Sequence, residues 1–598
     1  MKILTALVLW LATPPLLGQS PSDVKAAVHR ALPILQKSAA IFVTERACVS
    51  CHHNALAILT FHLAQRRGFK IDSSTLDLVE EKTFRQLRGP NALDDAIQAA
   101  NLSDPTPNDS YLLMAAEAAG LDSRSATLNV HARRIARWQR DGHWITSDFR
   151  PPHSSSTFTA TATAIRAIRF YMPQELAAER DLAIRNARQW LYETRPESTE
   201  DAAFRLMGLA WAGASADQTR GAVVDLLALQ KSNGGWAQLQ DYDPDAYSTG
   251  EALYALHEAG LPIADRAWQK GARFLISTQA KDGTWRVRTR MLSPAEVSPT
   301  YFSTGFPYKK DEFLSYAGTT WAVMALLSSL PEIAADPSVH TQVSPVADLP
   351  VPWARTALLG TAQELAALLA AGLDANSRTP NGTTLLMMAA TDDEKVRLLI
   401  SKGADVKARA TSGVDAVTIA STYYGSAPSL RSLLSAGAAA DAPEDVHVRR
   451  SPLVYSAMAG DLEAVKALLS GGAHATAEAL AEAVTFGHPD VVRLLITNGA
   501  DAGITERSGI NLLHWAAITN RSQVIPVLAA AGVPLDAVDE FGFTPLLYAA
   551  TLDEGDTETL NALLRAGADK RVRNPDGRTP LDQARRLKHS KLATALKP

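Results

Sequence analysis

The chain has 598 residues, 20% of them charged, and a net charge of −4 with acidic and basic residues mixed along its length. That length implies two or more domains at roughly 150 residues each, and the even mixing of charge excludes an electrostatic footprint for nucleic acid. Only two cysteines are present, too few for a disulfide framework, so their closeness in sequence needs a local explanation.

Residues 1–18 are predicted to be a secretory signal: Lys2 is the positive start, Ile3–Leu11 the apolar run, and Leu16-Leu17-Gly18 the small-residue end. Thr13-Pro14-Pro15 interrupts that run, which is too short to span a bilayer. No transmembrane segment is expected in the mature chain, and the expected location is periplasmic or secreted. Retention of the leader as a membrane anchor is the alternative.

Next comes Cys48-Val49-Ser50-Cys51-His52. Cys-x-x-Cys-His reads as c-type heme attachment, with each thiol adding to a vinyl group and the histidine beneath the iron. The segment resembles the heme site of c-type cytochromes. That resemblance implies covalent heme c on Cys48 and Cys51, His52 as an axial iron ligand, and a redox partner. His143, His153 and Met291 are the candidates for the sixth iron position, from loops expected on the same rim. His62 lies ten residues beyond His52, about 15 Å along a helix, which is too far. Arg286, Arg288 and Arg290 are either partners for the propionates or solvated loop charges. A Cys48–Cys51 disulfide is an alternative. So is a Cys/His zinc site, although four ligands are hard to draw from so short a loop.

Between residues 22 and 330 a helix-loop-helix rhythm recurs. Aligned tetrapeptides Asp141-Gly142-His143-Trp144, Asn233-Gly234-Gly235-Trp236 and Asp282-Gly283-Thr284-Trp285 each follow a glutamine, Gln139, Gln230 or Gln279. The tryptophans are 92 and 49 residues apart, so a degenerate copy is expected between the first two, at Ala187–Gly213. Helices are predicted at Ala222–Gln230 and Ala272–Gln279 before the loops, and at Phe158–Arg169, Ala203–Trp211, Tyr247–His257 and Gly318–Leu327 after them. Hairpins at 22–68 and 74–120 bring the total to six. The repeats resemble those of the squalene cyclase and prenyltransferase superfamily, which implies an (α/α)6 toroid. The Gln and Trp are expected to tie each loop to a neighbouring helix.

Cyclases of that superfamily protonate substrate with an Asp-x-Asp-Asp-Thr motif. Here Asp245-Ala246-Tyr247-Ser248-Thr249 occupies the place, with Tyr247 and Ser248 where two carboxylates belong. A tyrosine with a pKa near 10 is no acid for an alkene, and the zinc ligands of prenyltransferases are absent, so neither activity is expected. Asp245 is a weak catalytic candidate, paired with Asp243 as two acids of a barrel enzyme; the other reading is a turn and helix cap.

Residues 331–350 are predicted to be a linker, and 351–598 an array of about eight helical repeats. Thr544-Pro545-Leu546-Leu547-Tyr548-Ala549-Ala550, Thr579-Pro580-Leu581 and Leu512-Leu513-His514-Trp515-Ala516-Ala517 resemble ankyrin repeats. Gly372, Gly403, Gly437, Gly472, Gly499, Gly532 and Gly567 are separated by 31, 34, 35, 27, 33 and 35 residues, around the ankyrin period of about 33. Each is expected to end a helix in a left-handed turn, with Thr356–Leu368 and Gln583–Leu596 as capping units. The fold class is therefore all-α, a toroid followed by an ankyrin solenoid.

Such repeats imply a protein partner, met through turn tips and the concave face. Trp353, Tyr423, Tyr424 and Trp515 are either anchors for it or internal packing. The expected function is an exported heme protein for electron transfer or small-ligand sensing. The alternatives are a heme-free toroid/ankyrin scaffold and a barrel enzyme acting on lipid or glycan.

Overall fold

In the computed structural model, residues 20–46, 51–99, 105–147, 151–153, 155–290, 304–333, 349, 351–441, 450–553 and 555–597 are described. Among them every regular element is helical, and β pairing is confined to isolated bridges such as Trp236 with Asp245. None of the described helices is long and apolar enough to cross a membrane.

The N-terminal half comprises α1 (Pro21–Glu45), α2 (Leu56–Arg66), α3 (Ser73–Thr83), α4 (Ala92–Ile97), α5 (Ser110–Ala118), α6 (Ala126–Arg137) and α7 (Thr157–Tyr171). It continues through α8 (Ala177–Glu193), α9 (Thr199–Trp211), α10 (Ala216–Ala228), α11 (Ala246–Glu258), α12 (Arg266–Thr278) and α13 (Glu312–Ser328). Two kinds of helix recur, although α6, between α5 and α7, is buried along nearly its whole length. Every residue of α13 is buried, and so is nearly all of α9 and α11, whereas α8 buries only Ala183, Ala187 and Leu191 and α10 only Ala222 and Leu226. Apolar residues all round mark an enclosed helix and a single stripe marks an outer one. The enclosed helices pack in succession, α2 on α5, α5 on α7, α7 on α9, α9 on α11 and α11 on α13, and α13 packs back on α2. Small residues permit these approaches: a methyl group on Gly250 of α11 would sit 2.5 Å from the Ala322 nitrogen of α13.

The tetrapeptide loops share one hydrogen-bond scheme. Trp144, Trp236 and Trp285 donate their indole N–H to the carbonyls of Ile135, Leu226 and Leu275 at 2.6, 2.8 and 2.8 Å. Their backbone N–H groups donate to the hydroxyls of Thr161, Thr249 and Thr319 on the following inner helix. Gln139, Gln230 and Gln279 each donate to a carbonyl of another outer helix, at Ala183, Ala267 and Ala27. Gln279 thereby fastens the end of α12 to α1. Gly283, at φ +88°, lies so close to the Arg30 carbonyl that no side chain fits there. The loop between α8 and α9 lacks the tetrapeptide, and Arg205 replaces it by donating to the carbonyls of Leu191 and Tyr192 at 2.7 and 3.0 Å.

Several expectations need correction. The glutamines lie just past their helices, because α10 ends at Ala228 and α12 at Thr278. Both helices also begin earlier than expected, with Ser215 and Asp265 as their caps. The 74–120 hairpin carries an additional helix, α4. Of the proposed linker, residues 334–348 and 350 lie outside the described residues, as does the leader at 1–18.

Eight helix pairs follow, from Ala354–Leu359 with Ala362–Ala370 to Pro580–Leu587 with Ser590–Ala595. All seven spaced glycines have left-handed backbone, φ +81° to +104°, as their spacing predicts. Part of the surface of this array is taken by the chain itself. The Trp138 indole donates to the Thr422 carbonyl at 2.9 Å, Thr379 donates to Asp94 at 2.8 Å, and Gln98 donates to Thr383 at 2.7 Å. Arg134 and Arg140 lie over the Tyr423 and Tyr424 rings at 5.3 and 4.6 Å. Arg140 also donates to the carbonyls of Ala459 and Gly460, and Arg521 reaches back to Thr146.

Arg140→Ala removes two charge-assisted hydrogen bonds and one cation–π contact and leaves two carbonyls to be resolvated. An expected loss of about 2–3 kcal/mol follows. Calorimetry checks it: the two halves melt apart in the variant and together in the parent.

Candidate functional site in the centre of the inner helices

The Cys-x-x-Cys-His segment enters α2 through a single wide helical turn, Cys51–Ala55. Cys48 lies outside the described residues, and for Cys51 and His52 the backbone alone is described. Both belong to one continuous helical run. The next residues turn inward. His53 is fully buried and stacks between Phe42 and Tyr316, ring centroids 4.7 and 3.9 Å away. Asn54 donates to the Thr83 hydroxyl at 3.0 Å. Burial, reinforced by the nearby charge of His153, pushes the His53 pKa down to about 3.

His153 lies in the middle of a buried polar cluster. Its Nδ1 is 3.1 Å from the Tyr247 hydroxyl, which donates to Glu200 Oε2 at 2.8 Å. Thr159 donates to the other Glu200 oxygen at 2.6 Å. These groups come from α7, α9, α11 and the loop before α7. Glu251, one turn beyond Tyr247, has no solvent exposure; neither of its oxygens makes a hydrogen bond of full geometry, although the Tyr247 hydroxyl is near enough to oppose the rise in its pKa. Burial pushes Glu200 up to about 8, against the opposing pull of Thr159 and Tyr247. It pushes Glu251 well above the carboxylate range, and the charge of Glu200 adds to the rise.

The other sequence candidates separate. Asp245 caps α11, accepting from the Ser248 N–H at 2.9 Å and from Gln238 at 2.8 Å. Its role is therefore the cap, although burial of its carboxyl pushes the pKa up to about 6. His143 stacks on Trp190 at 4.8 Å, engaged with α8 rather than with the motif's turn. Met291 lies outside the described residues. Arg286 pairs with Asp311 at 2.8 Å, and Arg290 is buried, donating to Gln238 at 2.9 Å and to the Asp553 carbonyl of the C-terminal array. His62 pairs with Glu80 at 2.7 Å.

Glu200 and Glu251 escaped the sequence reading because neither stands in a recognisable motif. The available signal was their position, one at the start of α9 and one four residues after Tyr247, both on helices too apolar to have a polar face. Among the described residues no group of three or more His, Cys, Asp or Glu is arranged to hold a metal ion. A separate polar cleft of about 390 Å³ lies where Arg195, Lys231 and Tyr242 meet Asp553, Lys588 and Lys591, between the two halves.

A family profile for ankyrin repeats matches in three copies, at residues 419–506, 480–574 and 513–597. The C-terminal array is a run of ankyrin repeats. The palmitoyltransferase Hip14 of Drosophila melanogaster is 35% identical over 99 residues, 16% of this chain and 15% of the relative. The palmitoyltransferase AKR1 of Lachancea kluyveri is 31% identical over 160 residues, 24% and 21% of the two chains. The chain thus spans less than a quarter of the length of either. The putative ankyrin repeat protein YahD of Escherichia coli is 25% identical over 215 residues, 36% of this chain and 92% of that one. The solved ankyrin repeat domain of human ASB11 is 22% identical, covering 41% of this chain and 96% of the domain, with a TM-score of 0.27. Ankyrin repeats are protein-interaction units, and here they already hold a protein surface, that of the chain's own N-terminal half.

Proposed function

We propose that this chain is an exported, periplasmic or secreted protein carrying one heme c on Cys48, Cys51 and His52, mounted on an α/α toroid of the squalene cyclase kind. The toroid spans 22–330, and the ankyrin array from 351 serves as its protein-interaction part. The observation that carries the reading is the continuous helical run Cys51–Arg66, which leads from the motif into the centre of the inner helices. The return of α13 to α2 supports the toroid.

The donor set suits the group: two thiols for covalent attachment and an imidazole in the next position. When bound, heme supplies one-electron chemistry or a seat for a small diatomic ligand. His53, held neutral between two aromatic rings, adds no second cation beside the motif's turn. Only His52 is assigned to iron. The palmitoyl transfer in the names of Hip14 and AKR1 is not carried over, because the matched stretches cover so little of them.

The test compares the exported parent with Cys48→Ala/Cys51→Ala. The parent is expected to keep a heme absorbance band after denaturation and extraction with acidified solvent, and the double variant to be colourless. A colourless parent with a Cys48–Cys51 disulfide overturns the reading in favour of a heme-free scaffold.

A further inference from the structure

We propose that the ankyrin array is a strap across one end of the inner helices, anchored on the α5 and α7 side and latched by Arg290 on the far side, and that release of the latch opens the cluster of His153, Tyr247 and Glu200 to solvent. The strap goes beyond the heme reading and stands on the succession of inner helices alone.

The starts of the inner helices meet around His153. The Tyr111 and Phe313 rings, from the first turns of α5 and α13, lie 5.9 and 5.8 Å from its ring. Tyr247, Glu200 and Thr159, near the starts of α11, α9 and α7, form the hydrogen-bonded chain beside it. These helices are therefore entered at one end of the ring α2, α5, α7, α9, α11, α13. In that order α7 stands opposite α13, and α5 opposite α11.

Among the described residues, five of the six connections into inner helices touch the array. Asp94 and Gln98, ahead of α5, bind Thr379 and Thr383. Arg140 and Thr146, ahead of α7, bind Gly460 and Arg521. Glu197, ahead of α9, pairs with Lys591 at 2.9 Å. Leu239, ahead of α11, lies so near Gly555 that an added methyl group would sit 3.2 Å from it. Arg290, ahead of α13, donates to the Asp553 carbonyl. The sixth connection carries the Cys-x-x-Cys-His motif, and its residues 47–50 lie outside the described residues. Arg521 and Asp553 belong to consecutive helix pairs of the array, yet they hold opposite sides of the ring. The array therefore crosses the end of the inner helices rather than following its edge. Beneath it Glu200, Tyr247 and His153 are 3, 1 and 0% exposed.

The two sides are held differently. On the near side the bonds of Gln98, Thr379 and Trp138 are buried, Trp138 meets Phe486 edge-on at 5.9 Å, and Arg134 and Arg140 cover two tyrosine rings. On the far side the Lys591–Glu197 pair is half exposed, and exposed pairs contribute little. The 390 Å³ cleft leaves part of that seam unpacked. Arg290 is the exception: it is 4% exposed and joins Gln238 of the N-terminal half to Asp553 of the array. Local opening begins where buried contacts are fewest, so the far side yields first and Arg290 governs it.

The test uses the full chain, with hydrogen–deuterium exchange read peptide by peptide and hydroxyl-radical footprinting of Tyr247. Arg290→Ala is expected to speed exchange in 545–567 and 580–592 by about ten- to a hundredfold, the factor that losing charge-assisted hydrogen bonds implies. Exchange in 379–384 and 419–426 should stay as in the parent, and Tyr247 should become oxidisable. Arg290→Lys, which keeps the charge and loses the fork, should give the same pattern at smaller size, and it carries the test if Arg290→Ala fails to fold. Exchange that rises equally on both sides, or Tyr247 as well protected in the variants as in the parent, overturns the proposal.

Discussion

Trp285→Ala is expected to lower stability by about 3–5 kcal/mol, the range for truncating a large buried aromatic side chain. Its indole is 2% exposed and donates to the Leu275 carbonyl, so the variant creates a cavity and leaves a buried acceptor open. The position matters as much as the residue. Trp285 lies in the loop whose Gln279 reaches the Ala27 carbonyl, where the last helix pair meets the first. A loosened loop there frees α1 from α12 and exposes the inner helices along one seam. Gln279→Ala, which loses the bonds donated to the Ala27 and Gly283 carbonyls and those accepted from Arg30 but no volume of comparable size, should cost about 1–3 kcal/mol. Urea unfolding followed by tryptophan-independent circular dichroism measures both. A Trp285→Ala loss below that of Gln279→Ala would contradict a packing role for the tetrapeptides.

The second large effect is an inverted pH dependence. Glu200 and Glu251 have folded pKa values above the ordinary 4.5, Glu200 at about 8, so above about pH 4.5 these two groups hold more protons in the folded chain than in the unfolded one. Stability from these groups is complete below the unfolded value and is lost as pH rises through the folded one. His53 and His488 act at the other end. Burial depresses both from 6.5 to about 3, so the stability of keeping them neutral is lost as pH falls below about 6.5. The two opposing trends place the stability maximum between about pH 4.5 and 6.5. Melting temperatures across pH 3–9 check this, and Glu251→Gln should flatten the alkaline limb while leaving the acid limb alone. An alkaline limb identical in parent and variant would contradict the assignment.

Much of this architecture is legible in the residues. The tetrapeptides announce their loops because Trp and Gln serve the same bonds in each copy, and the seven spaced glycines announce helix ends because each needs positive φ. Thr161, Thr249 and Thr319 were missed as part of the same repeat, since threonines are common at helix starts and vary in distance from the tryptophan. Asp245 looked like a cap and is one. The acids that the Asp-x-Asp-Asp comparison found wanting are present nearby, supplied by α9 and by the next turn of α11. Only the fold brings Glu200 beside Tyr247, 47 residues away. The embrace between the ankyrin repeats and the N-terminal helices was hidden for a similar reason. Tyr423 and Tyr424 show aromatic character in the sequence, but their partners Arg134 and Arg140 are nearly 300 residues upstream.

Mass spectrometry of the proteolytic peptide spanning residues 48–52, taken from the exported protein, tests the central claim most directly. The account predicts that peptide to carry the mass of one heme, bound through both thiols and retained on reduction. A peptide of unmodified mass after reduction, from protein matured where heme is attached, would contradict it.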